Sequence, residues 1–90
     1  MTKRAKLEIV KDMLLTIKDE SNSIKSTPLL RKSNLSSMRF KGYLSELIEK
    51  SFVKEGTNKK GEKIISLTDR GFKFLEKYKT IIDFIEEFEL

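Results

Sequence analysis

Residues 27–50 read TPLLRKSNLSSMRFKGYLSELIEK, and the fold turns on this stretch. Thr27-Pro28 opens a short helix. Threonine is a good N-cap, and proline at the first helical position gives up no hydrogen bond that the helix needs. Leu29 and Leu30 supply its apolar face, and Ser33-Asn34 should end it. Ser36 then reads as the N-cap of another helix over about 37–50. There Phe40, Leu44, Leu47 and Ile48 recur at helical spacing as a buried stripe, with Tyr43 at its margin. The opposite face is Met38, Gly42, Ser45 and Glu49, flanked by Arg39 and Lys41. Asn34-Leu35-Ser36 alone separates the two helices, the turn length that joins a crossed helix pair.

Upstream, Leu7, Val10, Leu14 and Ile17 follow 3-4-3 spacing, widened by Ile9 and Met13, which predicts a first helix over about 4–19. It should end before the turn-forming Ser21-Asn22-Ser23. Downstream, a strand is expected at 52–55, a polar loop at Gly56–Glu62, and a second strand at 63–67, where Ile65 and Leu67 alternate with Ser66. Thr68 then caps a long helix over 69–89, with Asp69 favourable in its first turn. The order is helix, helix, turn, helix, strand, strand, long helix. That is an α+β, mostly α chain: a winged helix-turn-helix domain at 1–68 (three helices plus a β-hairpin wing), and a C-terminal helix at 69–90.

Ninety residues suffice for one small domain and one core. The chain has no cysteine and no histidine, which removes disulfides, thiolate metal sites, the commonest general base and the usual triad partner. No P-loop and no nucleophile elbow is present, and Glu86 and Glu87, adjacent on a helix, do not converge on one site. Catalysis, a cofactor and a metal are therefore not expected; no small-molecule ligand is evident, and an effector is neither implied nor excluded. Apolar runs stay too short to span a bilayer, and the basic N-terminus lacks a signal-peptide core, so an intracellular protein is expected.

Charge is unevenly placed. Residues 1–79 carry all 19 basic residues against 10 acids, a balance of +9, whereas residues 80–90 carry four acids and no base. From Ser21 to Ser45 there are five bases and no acid. In the last helix Phe74, Tyr78, Ile81, Ile85 and Phe88 form a heptad seam of about two repeats, while Phe72, Leu75, Ile82 and Phe84 lie off it. So wide an apolar surface does not fit against one small core. Either Phe74 and Tyr78 pack on the domain while Ile81, Ile82, Ile85 and Phe88 pair with a second chain, or the helix folds back within a monomer.

Over nearly its whole length the chain resembles small archaeal winged-helix DNA-binding proteins, which include transcriptional regulators and abundant chromosomal proteins. The resemblance rests on Lys6-Leu7-Glu8-Ile9, on Thr27-x-Leu29-Leu30-x-Lys32-x-Asn34-Leu35-Ser36, and on Tyr43-Leu44-x-x-Leu47. It continues through Leu67-Thr68-x-x-Gly71 and Phe74-Leu75-x-x-Tyr78. It implies a dimer made by an antiparallel coiled coil of the last helices. Ser51 departs from the glycine usual in the resembling proteins; a left-handed serine there costs ~1 kcal/mol.

In such a domain the third helix lies in the DNA major groove. Its N-terminal half here offers Ser37, Met38, Arg39, Lys41, Gly42 and Ser45, of which Arg39 is suited to guanine O6 and N7. Arg39 and Lys41 read either as groove contacts or as solvated charges. Gly42 allows either close approach to a duplex or close packing on another helix. Lys25, Arg31 and Lys32 surround the helix that crosses the phosphate backbone. Thr27 and Ser36 serve as phosphate donors or simply as caps. Lys59 and Lys60 at the hairpin tip suit a backbone or minor-groove contact, or solubility alone, and Lys3, Arg4 and Lys6 form a basic cluster at the N-terminus. The expected partners are double-stranded DNA and a second copy of the chain, with nucleoid association. A protein-interaction module and an RNA binder are the competing readings.

Overall fold

Ser36 and Thr68 each start a helix as their positions suggest, and both do so with the side-chain oxygen: Ser36 Oγ accepts from Arg39 N at 3.3 Å and Thr68 Oγ1 from Gly71 N at 3.2 Å. In the computed structural model, residues 6–90 are described. They form α1 (Lys6–Asp19), α2 (Ser26–Ser33), α3 (Ser37–Glu49), β1 (Val53–Thr57), β2 (Lys63–Leu67) and α4 (Asp69–Glu87). The two strands pair antiparallel, with Val53 opposite Leu67 and Thr57 opposite Lys63.

The core sits where α1, α2 and α3 converge on the hairpin. Ile9, Met13, Leu14, Ile17, Leu29, Phe40, Leu47, Val53, Ile65 and Leu67 are all buried there, and Phe74 and Leu75 of α4 pack against them. The stripe expected on α1 is rotated slightly: Ile9 and Met13 are at its centre, whereas Leu7 is 49% exposed. On α3, Phe40 and Leu47 are buried, and Leu44, Ile48 and Tyr43 are half-buried at the margin.

Three junctions differ from expectation. Helix α2 begins two residues early, with Lys25 as N-cap and no side-chain cap, so Thr27 caps nothing. Pro28 sits inside the first turn, where its missing N–H costs no bond; the first helical bond is Leu29 N to Lys25 O, 3.2 Å. Strand β1 runs on through Gly56 and Thr57, because their backbone groups find partners on Ile64 and Lys63. Ile24, between the turn cluster and α2, is buried and exchanges backbone hydrogen bonds with Ile65 at 3.2 and 2.7 Å. Asn22, left-handed at φ 58°, supports that junction by accepting from Leu67 N at 2.6 Å.

The corner after α3 is built as a glycine corner, with serine in place. Ser51 has φ 63°, Ser51 N donates to Ile48 O at 3.0 Å, and Phe52 N donates to Leu47 O at 2.9 Å. This is a Schellman closure, carried by a residue that prefers it less than glycine by ~1 kcal/mol. Two bonds from Thr68 hold the corner: its Oγ1 donates to Ser51 O, and its N donates to Phe52 O at 3.1 Å. Gly71 completes the corner. A Cβ there would lie 2.3 Å from Phe52 O, so only glycine lets α4 approach so closely.

Candidate nucleic-acid interface

The N-terminal half of α3 presents an open polar face. Ser37, Met38, Arg39, Lys41, Gly42 and Ser45 are all exposed, and Met38 is 84% exposed, high for an apolar side chain. Nothing lies within 4 Å of where a Gly42 Cβ would stand. Packing within the chain therefore does not account for this glycine. Among the described residues, Arg39 and Lys41 make no ion pair, and neither do Arg31, Lys59 or Lys60.

The acid-free stretch meets acids from elsewhere in the chain. Lys25 pairs with Glu62, and Lys32 lies 3.6 Å from Glu20. Lys6 is likewise taken up: its Nζ is 2.6 Å from Glu46 on α3, which also holds Lys50 at 3.1 Å. The hydrogen bond from Lys6 holds the Glu46 carboxyl below its ordinary 4.5 and raises the Lys6 amine in turn. Lys3 and Arg4 lie outside the described residues. Exposed pairs of this kind contribute little, so phosphate can displace them. Lys25 and Lys32 are nonetheless engaged lysines, which sequence spacing did not indicate.

The hairpin tip is organised by Asn58. Its Oδ1 accepts from Lys60 N at 2.9 Å and Glu62 N at 3.0 Å, and its Nδ2 donates to Glu62 Oε1 at 3.1 Å. Gly61 takes φ 78°. The result is a compact loop that leaves Lys59 and Lys60 exposed. Because Glu62 Oε2 accepts from Lys25, one carboxylate links the tip to the start of α2. Those bonds, Lys25 first, hold the Glu62 carboxyl below 4.5. Thr27 is exposed beside this link and its hydroxyl is not engaged among the described residues, whereas the Ser36 hydroxyl is occupied by its cap.

Burial along the last helix is uneven. Phe74 is half-buried, edge-on to Phe52 at 5.3 Å and stacked with Tyr78 at 6.3 Å. Lys11 Nζ lies 5.6 Å over the Tyr78 ring. These two aromatics are thus engaged by their own domain. Ile82 and Ile85 are half-buried, while Ile81 is 51% exposed and Phe84 and Phe88 are 56% exposed. The helix does not fold back over itself to cover them. Phe84 packs on Phe88 at 5.0 Å and belongs with the exposed group, although its spacing put it off the seam. Among the described residues, no helix is long and apolar enough to cross a membrane.

Three helices, the second and third joined by a turn at 34–36, and a two-stranded wing define a winged helix-turn-helix. The chain belongs to the winged helix-turn-helix family, which it matches over residues 3–86. Among solved structures it is similar to Sso10a-2, a DNA-binding protein from Sulfolobus solfataricus, at TM-score 0.73 and 19% identity, covering 96% of this chain and 86% of that one. It is similar to F93 from STIV, a winged-helix DNA-binding protein, at TM-score 0.72 and 16% identity, covering 89% and 91%. It is also similar to SSV1 F-93, at TM-score 0.66 and 27% identity, covering 96% and 99%. No curated protein matches the chain.

Proposed function

We propose that this protein is a homodimer that binds double-stranded DNA, as a transcriptional regulator or a chromosome-associated protein. Helix α3 enters the major groove, and the hairpin meets the backbone or minor groove. The observation that carries this reading is the exposed face of α3, where Arg39 and Lys41 are unpaired among the described residues and the space over Gly42 is open. Arg39 is the base reader, while Lys41, Arg31, Lys59 and Lys60 neutralise phosphates. Few side chains here discriminate between bases, so most of the affinity is electrostatic and sequence preference is modest. Two copies pair through Ile81, Ile82, Ile85 and Phe88, which presents two α3 helices to one duplex. The likeness to proteins described as DNA-binding supports the same reading.

Site selection from a random duplex pool, followed by binding of Arg39→Ala and Lys41→Ala, tests it. Arg39→Ala should cost ~1–3 kcal/mol on the selected site and relax preference at one position. Lys41→Ala should weaken all duplexes alike. Equal, negligible effects of both would remove α3 from the interface.

A further inference from the structure

One carboxylate stands inside the basic face. Residues 21–45 hold five bases and no acid, and residues 56–68 hold three bases and a single acid, Glu62. Its side chain joins two elements: Oε1 accepts from Asn58 Nδ2 at the hairpin tip at 3.1 Å, and Oε2 accepts from Lys25 Nζ at the start of α2. The tip keeps its shape by other bonds. Asn58 Oδ1 accepts from Lys60 N and Glu62 N, and Asn58 N donates to Glu62 O at 3.0 Å. The charge of Glu62 therefore has one evident object, the Lys25 ammonium. We propose that Glu62 occupies the place of a DNA phosphate on Lys25, so that duplex binding exchanges carboxylate for phosphate and adds Lys25 to the contact made by Lys59 and Lys60. This rests on the DNA-binding reading above and adds a contact, together with the residue that withholds it.

The strengths of the two contacts favour the exchange. The Lys25–Glu62 pair is open to water, its side chains 51% and 39% exposed, and a pair of that kind is weak. A duplex offers the same lysine charged acceptor oxygens, one negative charge per ~1.7 Å of axis, and releases condensed counterions on contact. Neighbouring acids do not replace Glu62. Glu20 lies 3.6 Å from Lys32 instead, and Glu55 stands back along β1, opposite Ile65. The carboxylate also places Lys25 and the tip on one surface, since one side chain touches both. A phosphate drawn to the tip lysines therefore meets the Lys25 pair at the same approach. After the exchange Glu62 is left as a lone negative charge beside the duplex, so its presence lowers affinity. A carboxylate that served only to brace the tip against α2 would have the opposite effect, because losing it would loosen the wing.

Glu62→Gln removes the charge and keeps an oxygen for Asn58 Nδ2. This variant, Lys25→Met and the double variant are titrated against a random-sequence duplex by fluorescence anisotropy at several salt concentrations, with circular dichroism melting to show that each is folded. Glu62→Gln should bind up to about fivefold tighter per copy at low salt, an advantage that fades as salt screens the pair. Lys25→Met should bind more weakly, with a log–log salt slope shallower by about 0.9 per copy. In the Lys25→Met background Glu62→Gln should lose most of its gain. Equal gains in both backgrounds mean that Glu62 only repels the duplex, and overturn the exchange. Unchanged or weaker binding by Glu62→Gln overturns it too, and in both cases DNA binding still stands. A natural chain that binds no duplex at low salt overturns the DNA-binding reading as well. Should a variant fail to fold, the Glu62 carboxyl carbon of the natural chain reads the same step: its chemical shift should move when duplex is added, and an unmoved shift overturns the exchange.

Discussion

Gly42→Ala separates stability from binding at one position. Gly42 lies in the interior of α3, is exposed, and has nothing within 4 Å of its virtual Cβ. An added methyl therefore clashes with nothing in the chain. Alanine is favoured over glycine in a helix interior by ~0.8–1.0 kcal/mol, partly because it restricts the unfolded chain. For a domain of this size that is a rise of roughly 4–8 °C in Tm, read by circular dichroism at fixed protein concentration. On the duplex the sign reverses. If α3 enters the groove with Gly42 towards the bases, the methyl holds the helix off in each half of the dimer. We expect affinity to fall about tenfold, equivalent to ~1.4 kcal/mol. A variant that is more stable and binds DNA as well as the natural chain would refute the close approach. A variant that is less stable would refute the open environment of Gly42.

Other perturbations read the corner and the wing. Gly71→Ala should destabilise by ~2–3 kcal/mol in urea unfolding, since its Cβ meets a backbone carbonyl that cannot swing aside. Ser51→Gly should do the opposite, raising stability by ~0.5–1 kcal/mol, because it relieves a left-handed serine without removing a side-chain bond. The Glu62 carboxyl, followed by carbon chemical shift, should titrate below 4.5, and Lys25→Met should move its midpoint up. Since the folded value is depressed, the link's contribution is present above about 4.5 and is lost as pH falls through the folded midpoint. An unchanged midpoint in Lys25→Met would show that the pair does not form in solution.

Much of the fold was legible because it follows from local rules. Ser36 and Thr68 announce helices by chemistry confined to a single turn, and Ile65 and Leu67 announce a strand by alternation. The left-handed corner at Ser51 was legible only conditionally, through the resemblance. The long-range pairings were not. Glu62 holds Lys25 from 37 residues away, and Ile65 pairs with Ile24 across a similar span. No periodicity carries such contacts. That is why a stretch without acids looked more uniformly cationic than the folded surface is. Leu7 failed differently: its spacing is that of a core residue, but the buried stripe is centred on Ile9 and Met13, which turns Leu7 to its margin. Phe84 lies off a strict heptad, yet it is exposed with Ile81 and Phe88, because an exposed helix end does not keep to one seam.

The most direct test of the central claim is a fluorescence-anisotropy titration of a random-sequence duplex at several salt concentrations. Neutralising ~6–10 phosphates per dimer predicts a log–log slope of roughly −5 to −9 and a fall of ~10³–10⁵-fold between 50 and 200 mM salt. Binding in the micromolar range or better at low salt with that slope is the predicted result. No duplex binding at low salt, or binding indifferent to salt, would contradict it and leave the basic surface without a nucleic-acid role.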